Sequence, residues 1–496
     1  MNKFSYLKIL LPLALAPVAV LFILSLAGCT MIPKYHQPAA NISNNWPSVP
    51  GYAKIKTTPA TLPAADIGWH EFFRDPRLQQ IIEIALTNNP DLLAAVYNVQ
   101  ETRAQYHIQQ DALIPTVDVN GSATKTRQPN FFGGGGTNSA PKAIVYNEFA
   151  ANLGITSYEI DLWGRVRSLR RQALETYLAS DSARKSAQIA LVANVASAYL
   201  SAEESAQQLA VSREMVKAAQ QTFSLTKQSF DAGVSSQFDL NTASTQLQNA
   251  LVTESGYAQQ LAQANDELVF LLGEPLPPAL APSPRFDPRA CVSDIPTGLP
   301  SDLLEQRPDV IEAEHQLKAA NANIGAARAA FFPTIYLTGN AGYASASLQN
   351  LFEPASAAWN ISPTIVWPIF SGGTLYHGLQ EVKAAQRAQA AQYQSTVQNA
   401  FREVADALAV RETVETQLAG DEMLVKADRQ SYQLTQAGFR TGINSALDVN
   451  VTLQTLDSAR LTLAQAQYSR LTSLINLYQD LGGGWSEQTV QQSAKE

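Results

Sequence analysis

The sequence predicts a mixed α/β membrane protein in which very long helices, paired as coiled coils, join short strands of bilayer-spanning length, with the whole pattern built twice. Three observations predict it. Of 496 residues, 46% are apolar but only 16% charged and 8% aromatic, and the abundant Ala, Ser, Gln, Asn and Leu suit long helices packed through small side chains. Residues 165–232 contain neither Gly nor Pro over 68 positions, which as one helix is roughly 100 Å of rod. Short segments of strict apolar/polar alternation lie between the helical runs; that is the period of a strand with one buried face.

Composition also excludes. A net charge of -8, a pI near 5.3 and no Lys/Arg cluster argue against a nucleic-acid partner. Five His and two Cys, widely scattered, make no zinc site, and no metal or cofactor is expected. Gly133-Gly134-Gly135-Gly136 is not followed by Lys-Ser or Lys-Thr, and His-Glu-x-x-His, Gly-x-Ser-x-Gly and Cys-x-x-Cys do not occur. No catalytic residues are expected.

The elements follow in order. Lys3 and Lys8 precede an apolar run over 9–26 that closes on Leu26-Ala27-Gly28-Cys29. This reads as an export signal over 1–28. A single-pass anchor of minimal length is the other reading, and Pro12 and Pro17 inside the run speak against it. The box resembles the bacterial lipoprotein signal, which implies cleavage before Cys29 and acylation of that residue. Thr30 is not the Asp that marks inner-membrane retention in such proteins, which implies the outer membrane. Cys291 is then left without a partner, so no internal disulfide is expected.

Residues 29–68, with six prolines, are expected to run extended. Beyond them the chain repeats. Asn89-Pro90-Asp91 aligns with Arg307-Pro308-Asp309, and Ile114-Pro115-Thr116 with Phe332-Pro333-Thr334, at an offset of 218. Leu225, Phe230, Gly233, Ser236 and Asp239 align with Leu434, Phe439, Gly442, Ser445 and Asp448 at 209. The first copy therefore carries nine extra residues between Gly121 and Ser157, an interval holding the Gly-rich loop at 131–136. The expected domains are repeats over 69–272 and 302–482, a Pro-rich linker over 273–301 and a flexible tail over 483–496. Each repeat reads helix, strand, loop, strand, long helix, turn, helix.

Val195, Ala202, Leu209, Val216, Phe223 and Phe230 recur every seven residues, with Ala198, Ser205, Ser212, Ala219 and Thr226 three positions on. This is a coiled-coil seam. Leu240, Leu247, Leu261 and Leu268 continue it in the next helix, and Leu447, Leu461, Tyr468 and Ile475 in the second copy. The alternating segments, Val119-Gly121-Ala123 and Trp359-Ile361-Pro363-Ile365-Trp367, have the length of tilted bilayer strands. Four strands cannot close a membrane barrel and open edges are not tolerated in lipid. Two chains would give eight strands and a filled interior, whereas three would give twelve and leave a lumen. A conducting assembly is therefore expected to be a homotrimer.

Trp69 with Phe72-Phe73-Arg74-Asp75-Pro76-Arg77-Leu78, Tyr158-Glu159-Ile160-Asp161-Leu162-Trp163-Gly164-Arg165, Arg307-Pro308-Asp309, Ala326-Ala327-Arg328-Ala329-Ala330-Phe331-Phe332-Pro333 and Pro368-Ile369-Phe370-Ser371-Gly372-Gly373 together resemble the TolC-like outer-membrane factors, in the lipoprotein branch serving RND-type efflux pumps. The resemblance covers nearly all of the mature chain. It implies a trimeric twelve-stranded barrel continued by a helical periplasmic tunnel, acting as the exit duct of a tripartite efflux system. It also implies a periplasmic adaptor and an inner-membrane RND-type pump as partners, and outer-membrane lipid around the barrel.

Gly233 and Gly442 mark the turns between paired helices, and Ser236-x-x-Asp239 and Ser445-x-x-Asp448 are capping boxes. Both aspartates read as caps. The resemblance adds a second role for Asp448, in an acidic ring at the closed periplasmic mouth, where three carboxylates would repel, raise one another's pKa and attract cations. Capping alone and capping plus gating both stand. Arg440 is the nearest cation for Asp239 or Asp231. The sequence departs from better-known relatives where they carry a second acid, a tyrosine and an arginine; Val451, Phe439 and Asn444 occupy those places. Gly233-Val234 and Gly442-Ile443, small and apolar, are the expected adaptor-docking tips. A lipid-anchored coiled-coil scaffold without a channel is the competing reading.

Overall fold

The computed structural model describes residues 30–39, 42, 43, 46, 63–129, 143–287, 289–292, 295, 303–441 and 443–489. Cys29, Gly442 and the loop at 131–136 lie outside the described residues. The element order is α1 (Pro76–Asn88), α2 (Pro90–Asp111), β1 (Asp118–Pro129), β2 (Ala143–Ile160), α3 (Arg165–Asp231), α4 (Gln237–Leu272), α5 (Pro308–Ala329), β3 (Thr334–Ser345), β4 (Ala357–Val366), α6 (Thr374–Arg440) and α7 (Ala446–Asp480). Both α3 and α6 are continuous over 67 residues. Helix α6 passes through Gly420 unbroken, because its i to i+4 ladder needs only the backbone. Among the described residues, no helix is long and apolar enough to cross a membrane.

The chain divides into two compact units. One comprises Met1–Gln37, Gln100–Leu178 and His315–Ala391, and holds the antiparallel sheet β1-β2-β3-β4. Its register sorts the side chains by face. Val119, Leu153, Ala341 and Trp359 line up across all four strands, and Ile155, Gly339 and Ile361 form the next row, all apolar or Gly. Asp118, Gly154, Asn340 and Asn360 make a row on the opposite, polar face. Alternation along each strand thus becomes an apolar face and a polar face of the sheet. In the single chain β4 is exposed along its whole length. Both edge strands contain proline, Pro129 in β1 and Pro363 in β4, as an edge tolerates.

In this unit the Tyr158-to-Arg165 motif is the hinge from strand to helix. Gly164 takes a φ of 76°. Asp161 Oδ2 accepts from the Arg167 N–H at 2.9 Å, satisfying a free donor at the start of α3, and Glu159 accepts from Arg165 Nε at 2.8 Å. Trp163 stacks on Phe332 at 4.7 Å and donates to the Pro333 carbonyl at 2.9 Å, while Trp367 donates to the Phe331 carbonyl at 3.3 Å. An aromatic cluster thereby sits where the strands meet the helices.

The other unit, Pro38–Val99, Ala179–Glu314 and Gln392–Glu496, is helical. Phe72 stacks on Tyr478 at 4.0 Å and Phe73 meets the same ring edge-on; Trp69, Phe72 and Phe73 are buried. The Pro-rich linker pairs with this motif, with the Arg74 N–H donating to the Ala290 carbonyl and the Val292 N–H to the Phe72 carbonyl. Cys291 is buried and free, and burial pushes its thiol up to about 12. Asn89 caps α2 and its Nδ2 donates to the Leu271 carbonyl at 2.9 Å. At the matching place Arg307 donates to the Asp480 carbonyl at 2.8 Å while pairing with Asp309 and Glu403. Different side chains thus fasten the start of a short helix to the end of a returning one.

Two expectations are corrected. Residues 483–489, expected in a flexible tail, are held in place: the Trp69 and His70 N–H groups donate to the Ser486 and Glu487 carbonyls, and Gly483 and Gly484 are buried beside Tyr478. The first turn of the short helix Trp69–Phe72 has backbone donors without intrahelical acceptors, and the tail supplies the acceptors. Leu447, assigned to the coiled-coil seam, is 61% exposed; it lies in the first turn after the cap, where Val449 and Asn450 are the half-buried positions.

Candidate functional site

The seam predicted along α3 is buried at Val195, Ala202, Ser205, Leu209 and Ser212, and half-buried at Ala198 and from Val216 to Phe230. Ion pairs fasten its neighbours: Arg213 to Glu254 of α4, Arg460 of α7 to Glu214 at 2.8 Å, and Arg470 of α7 to Glu415 of α6 at 2.8 Å. Two polar grooves open between α3, α4 and α7. One, of about 580 Å³, is lined by Ser201, Glu204, Gln208, Tyr257, Gln260 and Gln465. The other, of about 180 Å³, is lined by Met215, Gln246, Asn249, Thr253, Gln454 and Asp457. Each holds one buried carboxyl. Burial pushes Glu204 up to about 7, and Asp457 up to about 6 against the opposing pull of Arg460. Polar side chains are interspersed here among apolar ones on surfaces that would be apolar in an ordinary bundle.

At the end of α3 the chain turns by a Schellman motif: Gly233 has a φ of 74°, its N–H donates to the Phe230 carbonyl and the Val234 N–H to the Ser229 carbonyl. The Ile443 N–H makes the same contact to the Gly438 carbonyl after α6. Both returning helices open with a complete capping box. The Asp239 N–H donates to Ser236 Oγ at 3.1 Å, while Asp239 Oδ2 accepts from the Ser236 N–H at 2.9 Å. For Asp448 and Ser445 the distances are 3.2 and 2.8 Å. The serine hydroxyl, then the serine N–H, hold each carboxyl below its ordinary range. Both aspartates are exposed in the single chain. Arg440 is also exposed, and among the described residues no ion pair joins it to Asp239 or Asp231.

Val234 and Ile443 crown the two turns, each 82% exposed. Beside them stand Phe238 and Leu447, exposed apolar residues at matching positions; sequence reasoning did not single out Phe238 and placed Leu447 in the seam. The signal was present: both are apolar and stand two residues past a cap serine. Glu204 and Asp457 were also missed. Glu204 lies between the seam positions Ala202 and Ser205, so it is forced inward with them.

A paired-helix hairpin with polar grooves, attached to an edge-open sheet with one apolar face, defines a class of membrane channel subunit. The profile of the Outer membrane efflux protein family matches residues 81–274 and 299–483, and the chain belongs to that family. It is 43% identical over 466 residues to the probable efflux pump outer membrane protein TtgC of Pseudomonas putida, covering 94% of this chain and 95% of the relative. Identity is likewise 43% over 466 residues, with the same coverage, to a toluene efflux pump outer membrane protein of another strain of that species. Among solved structures, the open state of the Neisseria gonorrhoeae MtrE outer membrane channel superposes with a TM-score of 0.82 at 35% identity, over 93% of this chain and all of the other. The protein is an outer-membrane channel component of an efflux system.

Proposed function

We propose that three copies of the chain form the exit duct of a tripartite pump, taking drugs or toxic small molecules from an inner-membrane RND-type pump, through a periplasmic adaptor, to the exterior. The observation that carries this is the sheet: four strands with successive apolar rows on one face, through Val119, Leu153, Ala341 and Trp359 and the neighbouring rows, and two open edges, which lipid tolerates only after closure with other copies. Twelve strands leave a lumen. The similarity to a toluene efflux protein supports an apolar or amphiphilic cargo. The matching contacts Asn89–Leu271 and Arg307–Asp480 support descent of the two halves from one repeated unit.

Cys29 carries the lipid in this reading, following the Leu26-Ala27-Gly28-Cys29 box. Val234 and Ile443, with Gly233 and Gly442, are the surface that receives the adaptor's helical hairpin; their exposed apolar tips support it. Asp448 is the gate acid, Asp239 its first-copy counterpart and Arg440 the nearby cation. Reconstitution of the purified protein into planar bilayers tests the duct: discrete conductance steps are expected, and a scaffold without a channel would pass no ions.

A further inference from the structure

We infer that Lys125 and Arg127 of β1 form a phosphate-binding site on the sheet's apolar face, and that its ligand is a phosphorylated glycolipid of the outer leaflet. The inference rests on the reading of the sheet as part of a closed barrel with its helices on the periplasmic side. The register of β1 against β2 runs unbroken from Asp118↔Gly154 to Pro129↔Ala143, so alternation puts Lys125 and Arg127 on the face of Val119. Asn147 and Val145 stand opposite them in β2. Toward the helices the next rows run through Ala123 and Phe149, then through Gly121, Ala151 and Tyr343. Among the paired residues of all four strands, Lys125 and Arg127 are the only charged side chains on this face. Glu148 pairs with Thr124 and lies on the opposite face.

Chain order decides which end of the sheet this is. Strands β1 and β3 begin after α2 and α5, and β2 and β4 end before α3 and α6, so all four helices join one end of the sheet. The basic pair stands at the other end, where β1 turns into β2. With the helices in the periplasm, that end faces the exterior. From Glu159, which pairs with Arg165 at the start of α3, to Asn147, strand β2 is roughly 40 Å long. Tilted by about 45° it rises roughly 28 Å, close to the thickness of the hydrocarbon layer. The aromatic residues Trp163, Phe332 and Trp367 mark one interface, and Lys125 and Arg127 mark the other. A lipid-facing charge is costly at the bilayer midplane and well tolerated at the interface.

Both basic side chains are exposed, and among the described residues neither takes part in an ion pair. Two positions apart on one strand, their Cα atoms are roughly 7 Å from each other. The Lys125 ammonium supplies a point charge and Arg127 a guanidinium fork, and Asn147 adds an amide donor, a set suited to phosphate oxygens. Directly beneath, Ala123, Phe149 and Tyr343 offer apolar surface to hydrocarbon chains. The ligand that uses both parts carries phosphate above and acyl chains below. At the exterior end that is lipid A, the phosphorylated and acylated glucosamine disaccharide of the outer leaflet; free phosphate would leave the apolar rows unused.

The test titrates the full-length protein, purified in detergent, with lipid A labelled in its acyl chains. Lys125→Gln with Arg127→Gln should weaken binding at least about tenfold, whereas the charge-keeping exchange Lys125→Arg with Arg127→Lys should retain most of it. Lys426→Gln with Arg429→Gln removes two positive charges from exposed positions of α6 and should bind like the parent. Lipid A stripped of its phosphates should bind the parent as weakly as the intact lipid binds the Lys125→Gln, Arg127→Gln variant. Equal affinity of the parent and that variant, or of the two lipids, would overturn the site. Planar-bilayer conductance of the same preparations separates the two readings. A parent that conducts while its lipid affinity matches the variant's overturns the site alone; a parent that passes no ions refutes the closed barrel, and the inference with it.

Discussion

Glu204 is 8% exposed, accepts a hydrogen bond from Gln208 Nε2 at 2.9 Å and has its carboxyl pushed up to about 7 by burial. Because its folded pKa lies above the unfolded value, the folded state holds the proton longer. Stability is then fullest below about pH 4.5, falls as pH rises through 7 and is flat above. Glu204→Gln removes that loss. It should raise the melting temperature in detergent at pH 8, by an effect of at most about 3 kcal/mol, and leave it unchanged at pH 4.5; equal shifts at both values would exclude a buried charge as the cause. Asp448 is the opposite case, an exposed carboxyl held ionised by its own cap. Asp448→Asn should reduce cation selectivity and block by multivalent cations in single-channel recordings more than Asp239→Asn does, since the two remove the same capping group. Matched recordings for the two variants would make capping a sufficient account of both.

Strands and turns carry the next scale. In β3, a side chain on Gly342 would run into the Ala151 carbonyl oxygen and the Cα of Asn152 in β2. Gly342→Val should therefore cost at least about 1–3 kcal/mol and yield chains that run as monomers on unheated SDS gels, whereas Gly121→Val, with open space around its Cβ, should assemble. At the helical turns, Val234→Glu with Ile443→Glu places charge on two side chains already 82% exposed. Assembly should survive while resistance to exported compounds falls; full resistance would exclude docking through the turns. Helix and strand identity at this scale was legible because period and length agree, in the Gly-free run of α3 and the alternation of β4. Leu447 was misplaced because a heptad count carried back to the helix start does not fix which residues of the first turn are covered; there Val449 and Asn450 are half-buried and Leu447 is exposed.

For the whole molecule, closure of the sheet and attachment to lipid are the remaining physical demands. Four strands with free edges require other copies, and light scattering in detergent should give the mass of three chains. Cys29→Ala should abolish palmitate labelling and processing at that site; labelling at the normal level would move the lipid elsewhere. The contacts of Ile32 with Gly325 and of Pro33 with Asn321 could not be read from sequence, because Gly325 and Asn321 look like ordinary surface positions until residues some three hundred positions away are laid against them.

The sequence by itself determined the element types, the apolar face of each strand, the capped turns and the family, since all of these depend on spacing between near neighbours or on contiguous motifs. Tertiary structure decided what distant segments share. It brought the tail onto Trp69, the linker onto Phe73, Ile32 against Gly325, and Glu204 into a groove where burial raises its pKa. Such contacts join residues without sequence periodicity, and their energies depend on solvent exclusion, which exists only once the helices and strands have packed.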